Sequence, residues 1–398
     1  ISFTLDLTSY GDRINLLPSA STDVSITSFS VVEVQGDRPR LSYDITNGVV
    51  EDKPHLLLEP SSTNLVTFSE DFSQSVWNTG TSRSYILTAT NDINPTGLAS
   101  SYKFKGTAID NQFAYIHYTT IGTTITNSIY VKRVSGTGEV KLRDVNNSNT
   151  DFNLSVADGW KRISVTAAAT SVTARFYLNL ATVGDEILIF GAQQEALSYA
   201  TSYIPTAGTT ITRAAETCNN SKPSVNSTEG VLYAEVKHEA QHTAFKEISI
   251  SDGTMSNRIT FYNPTASDAL GVSVVSSGSV AVNDYVSGVD LYSFSKYAIQ
   301  YKQNDFKVFV NGELKFTDTS GNTPTGLSQV QFAKGDPTGS YFYGKVKGLA
   351  VYNEALSESQ LMQLTGVTAS SIYNNFVTRT ASFTVEALNE VKKVIDNL

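Results

Sequence analysis

KYAIQYKQNDFKVFVNGELKFTDTSG, residues 296–321, is the stretch that decides the fold. It reads as three consecutive strands: one ending before a turn at Gln303-Asn304-Asp305, a second up to Asn311-Gly312, and a third beyond it. Asn-Gly between alternating segments signals a two-residue hairpin, because a type I′ turn needs positive φ at both central positions. Three strands joined this tightly belong to an antiparallel sheet.

The same texture extends in both directions and predicts an antiparallel β-sandwich over 229–366. Near its end, ALSESQLMQL pairs Ser357 as N-cap with Gln360 three residues on, which marks a short helix. Upstream, 71–206 predicts a second sandwich. There Val172, Ala174, Phe176, Leu178 and Leu180 alternate with Thr173, Arg175, Tyr177 and Asn179, the pattern of a strand with one buried face. Further strands are expected at Ser128–Val134, Glu139–Val145, Trp160–Ala167 and Glu186–Phe190, separated by turns such as SGTG at 135–138 and VADGW at 156–160. Residues 207–228, rich in Thr, Ser and Asn without a sustained period, are expected to be a linker. Residues 1–70 are expected to form a β-rich N-terminal or attachment region.

The fold class is therefore all-β, with tandem antiparallel sandwiches and a short C-terminal helix. Within the tail at 367–398, Leu388, Val391, Ile395 and Leu398 recur with 3-4-3 spacing, as an oligomerising seam would. An amphipathic helix docked on its own domain fits so short a run equally well.

Composition narrows the function. The 398 residues carry a net charge of -9, with Lys and Arg scattered, whereas a nucleic-acid footprint needs a concentrated basic face. A single cysteine, Cys218, leaves no intramolecular disulfide. No apolar run reaches the roughly 18 residues of a membrane-spanning helix. The first residues, ISFTLDLTSYGDR, lack a signal-peptide pattern and an initiator Met, and the chain is expected to start inside a longer product.

RPRLSY at 38–43, HLLLEPSSTNLVTFSEDFSQSVW at 55–77 and GAQQEALSYATSYIPTAGTTITRAAE at 191–216 resemble a modular family of tailed-bacteriophage virion proteins, especially tail and fibre proteins. In that family Leu-Leu-Leu-Glu-Pro and Thr-Asn-Leu lead into a jelly roll similar to carbohydrate-binding modules. KYAIQYKQNDFKVFVNG and YFYGKVKGLAVYNEALSESQL resemble a concanavalin A-like or laminin-G-like sandwich. Together the resemblances cover roughly three quarters of the chain. They imply a virion structural protein, a tail or head fibre or adhesin that binds host-surface polysaccharide, contacts other virion proteins and assembles as a homo-oligomer, a trimer above other states. A purely structural connector or decoration role and a polysaccharide depolymerase are the alternatives.

One string points elsewhere. HEAQH at 238–242 has the His-Glu-x-x-His spacing of zinc proteases, in which both histidines share one helix face. Here it follows VLYAEVK, whose alternation is that of a strand. Along a strand, His238 and His242 stand about 13 Å apart, too far to share one zinc. Asp252, Asp305 and Asp318 offer oxygen ligands, yet their spacing forms no calcium loop. No paired carboxylates, Gly-x-Ser-x-Gly or phosphate-binding loop appears. The expectation is a non-enzyme with no catalytic residue, metal or cofactor. Its sugar contacts are expected at Tyr341 and Tyr343, which offer aromatic faces, and at Asn257 and Arg258, which offer polar groups at a strand start.

Overall fold

In the computed structural model, Asn311 and Gly312 both adopt positive φ, 48° and 84°, and the hairpin pairs Val310 with Glu313. The structure describes residues 40–366 except 47–48, 78–82, 112, 219–220, 240–244, 265–268 and 337. Leu388, Val391, Ile395 and Leu398 lie outside the described residues, as does His242 of HEAQH.

The described chain falls into two compact units, one of Ser62–Arg213 and one combining 40–61 with 214–366. The second unit holds the deciding hairpin, in a seven-stranded antiparallel sheet. Its order is Arg40–Ser42, His55–Leu58, Gly344–Tyr352, Glu229–His238, Ser295–Lys302, Phe306–Val310 and Glu313–Asp318. A five-stranded sheet faces it, in the order Ser279–Ser287, Ala269–Ser276, Arg258–Asn263, Lys246–Ser251 and Gln329–Gln331. Alternate residues meet between the sheets: Leu232, Ala234 and Val236 from one, Ile259, Phe261, Val272 and Val274 from the other. That is the inner layer a sandwich requires. The Glu358–Thr365 helix packs Leu361 on the opposite face of the larger sheet, against Val231, Tyr233 and Phe309. Its predicted capping box is present, Ser357 and Gln360 bonding each other's backbone N–H.

The Ser62–Arg213 unit is also a sandwich. Four strands in the order Asn149–Phe152, Val140–Arg143, Thr173–Leu180 and Phe113–Tyr118 face five in the order Trp160–Ala168, Thr124–Ser135, Glu186–Glu195, Ala99–Asn111 and Arg83–Ile93. Phe176, Leu178 and Leu180 point inward as their alternation predicted, whereas Val172 lies just before the strand and is exposed. Trp77 anchors this core, stacked on Phe113 at 4.8 Å.

The boundaries differ from the expected ones in two places. The described residues between 40 and 70 do not form one separate region: His55–Leu58 pairs with Gly344–Val346, completing the second unit's sheet, while Ser62–Asn64 pairs with Ile211–Arg213 in the first. The 207–228 segment is not a free linker either. Cys218 O accepts from Phe332 N, and Ser221 forms a bridge with Val330. Such contacts run through backbone groups, which side-chain periodicity does not report.

One residue from each of the three strings that carry the virion-protein resemblance meets the others within the second unit. Arg40 donates through Nε to Glu216 and through Nη2 to Glu59 (2.5 Å). Glu59 N in turn donates to Glu216 Oε2 (2.8 Å) and Glu216 N to Glu59 O (2.9 Å). The strings are folding determinants, since they fasten the chain where it leaves and rejoins the second unit.

Candidate functional site

The outward face of the five-stranded sheet is polar, which sets it apart from the inner layer. Arg258, Thr260 and Tyr262 alternate with core residues Ile259 and Phe261; Glu247, Ser249 and Ser251 alternate with Ile248 and Ile250. Register then lines these residues up across strands. Gln331, Ser249, Thr260, Ser273 and Asn283 are successive cross-strand partners, forming one row over all five strands. A second row runs Glu247, Tyr262, Gly271, Tyr285.

The second row carries aromatic rings. Tyr262 meets Tyr285 and Phe245 edge-on, both at 5.8 Å between centroids. It can lie flat because Gly271 is beneath it: a Cβ there would come within 2.3 Å of the ring. Tyr262 is itself buried and its hydroxyl donates to Asn283 Oδ1 (3.0 Å), while burial and the Tyr285 hydroxyl raise its pKa. Tyr285 and Phe245 remain 53% and 42% exposed, enough to offer their rings to a ligand.

Residues 333–336 and 338–340 lie on the other half of the face. Ser249 Oγ donates to Ala333 O (2.8 Å), Ser251 Oγ to Gly335 O (2.6 Å) and Gln331 Nε2 to Gly335 O (3.2 Å). Gly335 rests directly on Arg258, where a Cβ would meet Arg258 Cδ at 2.8 Å. Glu247 N donates to Ser340 O, and burial raises the Glu247 carboxyl pKa against the pull of Lys334 and Arg258. Arg258 Nε, Thr260 Oγ1 and Gln331 Oε1 are buried with no hydrogen-bond partner. Orphaned groups of this kind cost about 1–3 kcal/mol each.

Of the four residues expected from the sequence, the structure brings Arg258 and Tyr341 to this face. Arg258 lies under Gly335 and donates from Nη1 to Met255 O; Tyr341 forms a parallel bridge with Glu247. Asn257 is spent on scaffolding, its Oδ1 accepting from Ser277 N (2.9 Å) and Thr325 N (3.2 Å) and its Nδ2 donating to Asp252 (2.9 Å). Tyr343 packs partly against the core, with Lys246 Nζ 4.8 Å above its ring. Burial lowers the Lys246 pKa and raises that of Tyr343. The Tyr341 and Tyr343 rings are 6.5 Å apart and tilted by 41°. Sequence reasoning missed Phe245, Thr260, Tyr262, Ser273, Asn283 and Tyr285. Alternation in RITFYN and in SVAVNDYVS could have placed most of them on one face of their own strands; only register places the strands together.

His238 ends the Glu229–His238 strand, buried edge-on against Phe342 at 5.0 Å. Among the described residues no group of three or more His, Cys, Asp or Glu could hold a metal ion. Asp252 is engaged by Thr254 and Asn257, Asp305 by Gln300 and Lys307, and Asp318 by Ser320.

No curated protein sequence matches the chain. Among solved structures, Ruminococcus gnavus IT-sialidase CBM40 bound to alpha2,3 sialyllactose is 20% identical, over 36% of this chain and 84% of that one, with a TM-score of 0.31. Domain 4 of AbnA, a GH43 extracellular arabinanase from Geobacillus stearothermophilus, in complex with arabinotriose, is 17% identical over 42% and 80%, with a TM-score of 0.29. Mouse laminin alpha1 chain domains LG4-5 are 8% identical over 76% and 93%, with a TM-score of 0.25. Residues 220–362, which contain every strand of the polar face, match the Concanavalin A-like lectin/glucanases superfamily.

Proposed function

We propose that this chain is a non-enzymatic glycan-binding protein, and that the outward face of the five-stranded sheet is where it holds sugar. The observation that carries this reading is the pairing of exposed Tyr285 and Phe245 rings with the exposed Asn283 amide on the same face, beside the buried Thr260 and Ser273. Sugar rings stack their apolar C–H faces on aromatic side chains while their hydroxyls need donors and acceptors alongside. The superfamily match over 220–362 supports the same reading.

The strings RPRLSY, HLLLEPSSTNL and TSYIPTAGTTITRAAE place the protein, in this proposal, in a tailed-bacteriophage virion as a tail or head fibre or adhesin. Its partners are then host-surface polysaccharide and other virion proteins, with trimeric assembly through Leu388, Val391, Ile395 and Leu398. Purified protein passed over immobilised host polysaccharide is expected to be retained, with Tyr285→Ala weakening retention about fivefold, the worth of one aromatic contact. No retention across a panel of host polysaccharides overturns the reading. New reducing ends on incubation with a bound glycan support the depolymerase alternative instead.

A further inference from the structure

In the Ser62–Arg213 unit, Thr173, Arg175 and Tyr177 alternate with the core residues Ala174, Phe176 and Leu178, so they line the outside of the four-stranded sheet. Register sets other outward residues beside them: Tyr177 pairs with Arg143, Arg175 with Ile116 and Thr173 with Tyr118. Arg143 and Arg175 are thus diagonal neighbours on adjacent strands, about 7–8 Å apart and within reach of one small group. A single buried amide holds both from below, Asn127 Nδ2 donating to Arg143 O (2.9 Å) and to Arg175 O (2.7 Å). The Arg143 side chain is also held in place. Its Nε donates to Asn149 Oδ1 (2.9 Å), its Nη1 to Asn147 Oδ1 (2.8 Å), and its guanidinium carbon stands 5.5 Å from the centre of the Tyr177 ring. These partners are all neutral, which leaves the charge uncompensated and Nη2 unspent among the described residues. Arg175 makes one long bond, from Nη1 to Thr173 O at 3.4 Å. The carboxylates of Glu139 and Asp151 lie with Lys141 instead, and neither guanidinium has an acidic partner among the described residues.

We infer that this face is a second binding site, on the other unit from the aromatic row, and that it takes a glycan bearing a carboxylate or sulfate group. The negative group lies between Arg143 and Arg175, where two guanidinium groups offer it charge-assisted hydrogen bonds. Because Arg143 is already ordered by its neighbours, little side-chain freedom is lost when the anion arrives. To one side, the neighbouring sugar meets the side-chain amides of Asn147 and Asn149, whose nitrogens make no hydrogen bond among the described residues. To the other lie Ile116 and the Tyr118 ring, which is 76% exposed and suits the apolar C–H face of a sugar. Nucleic acid fits less well. Its phosphates call for a stripe of cations, whereas this face has two unpaired ones on a chain of net charge -9.

The test applies the full chain to an array of uronic-acid, sulfated and neutral oligosaccharides, each uronic-acid probe printed beside its carboxyl-reduced counterpart. The expected result is binding of one or both anionic series, with at least about tenfold weaker binding of the matching uncharged probes and a loss of affinity as salt is added. Arg175→Gln gives up only one long internal bond, so its thermal midpoint should stay in place while affinity for the anionic probes falls about tenfold. Equal binding of charged and uncharged probes, or full affinity in Arg175→Gln, overturns the inference. A lowered thermal midpoint in that variant assigns the guanidinium to the fold and overturns it as well. Competition by polyglutamate or single-stranded DNA as strong as that by the acidic sugar overturns the glycan assignment. Neutral probes that are retained by the protein and released by Tyr285→Ala report the other unit's site, so the two readings fail separately.

Discussion

Replacing Arg40 with Met leaves Glu59 and Glu216 facing each other without their cation. Their side chains are 5% and 0% exposed, so water cannot take over the role of the guanidinium. Breaking a buried ion pair by removing one partner costs about 3–5 kcal/mol. Arg40 itself is 23% exposed, which admits solvent on one side and places the expected loss near the lower end, about 3 kcal/mol. With a urea slope of about 2 kcal/mol per molar, the unfolding midpoint should fall by about 1.5 M. Two probes separate the units. The chain has two tryptophans, Trp77 and Trp160, and both belong to the Ser62–Arg213 unit, so tryptophan fluorescence follows that unit alone. Far-ultraviolet circular dichroism follows both. The Arg40→Met variant should lower the transition seen only by dichroism and leave the fluorescence transition in place. Adding Glu216→Gln should recover part of the loss by removing the like-charge repulsion. A midpoint unchanged in both probes, or a shift in fluorescence alone, would refute the assignment of this triad to the second unit.

Trp77→Ala should do the reverse, costing the Ser62–Arg213 unit about 3–5 kcal/mol by opening a cavity beside Phe72, Phe113 and Phe176, measured by dichroism. Gly271→Val should push the Tyr262 ring off its seat and reduce glycan retention more than Tyr285→Ala does, since it displaces the centre of the aromatic row. Acid should destabilise the protein through its histidines. Burial lowers the pKa of His55, opposed by Asp44, and lowers that of His117. The folded state therefore resists protonation that the unfolded chain accepts near pH 6.5, so this contribution is full above about pH 6.5 and is lost as the pH falls below it. Thermal midpoints between about pH 7.5 and 5 should show the decline, and His55→Phe should flatten it.

Local chemistry makes the hairpin at Asn311-Gly312 and the capping box at Ser357 legible in the amino-acid sequence, because each is decided by residues within a few positions. The sheet face is half legible. Arg258 stands out for its place at a strand start, and its alternation with Thr260 and Tyr262 is there to be read. What brings Tyr285 beside Tyr262 is the pairing of Gly271 with both, a matter of register across three strands. Asn257 misleads because an amide at a strand start serves a loop brace as well as a ligand. The shortest strands are the least visible: Arg40–Ser42 has three residues, too few to show a period, and pairs with His55–Leu58, itself paired with a segment nearly 300 positions on.

The double fastening at Glu59 and Glu216 has a consequence for how such chains diversify. In the second unit the chain departs beside the point at which it returns, because the two glutamates bond each other's backbone. In the first, Ser62–Asn64 pairs with Ile211–Arg213, so that unit's own two ends are also neighbours. Each end-to-end gap is thus about one strand spacing, roughly 5 Å. The Ser62–Arg213 unit has the geometry of a removable cartridge: joining residue 61 to 214 through a short turn preserves every strand of the other sandwich, and any module whose termini lie side by side could take its place. Exchange of this kind changes what a chain displays without redesigning the scaffold that carries it.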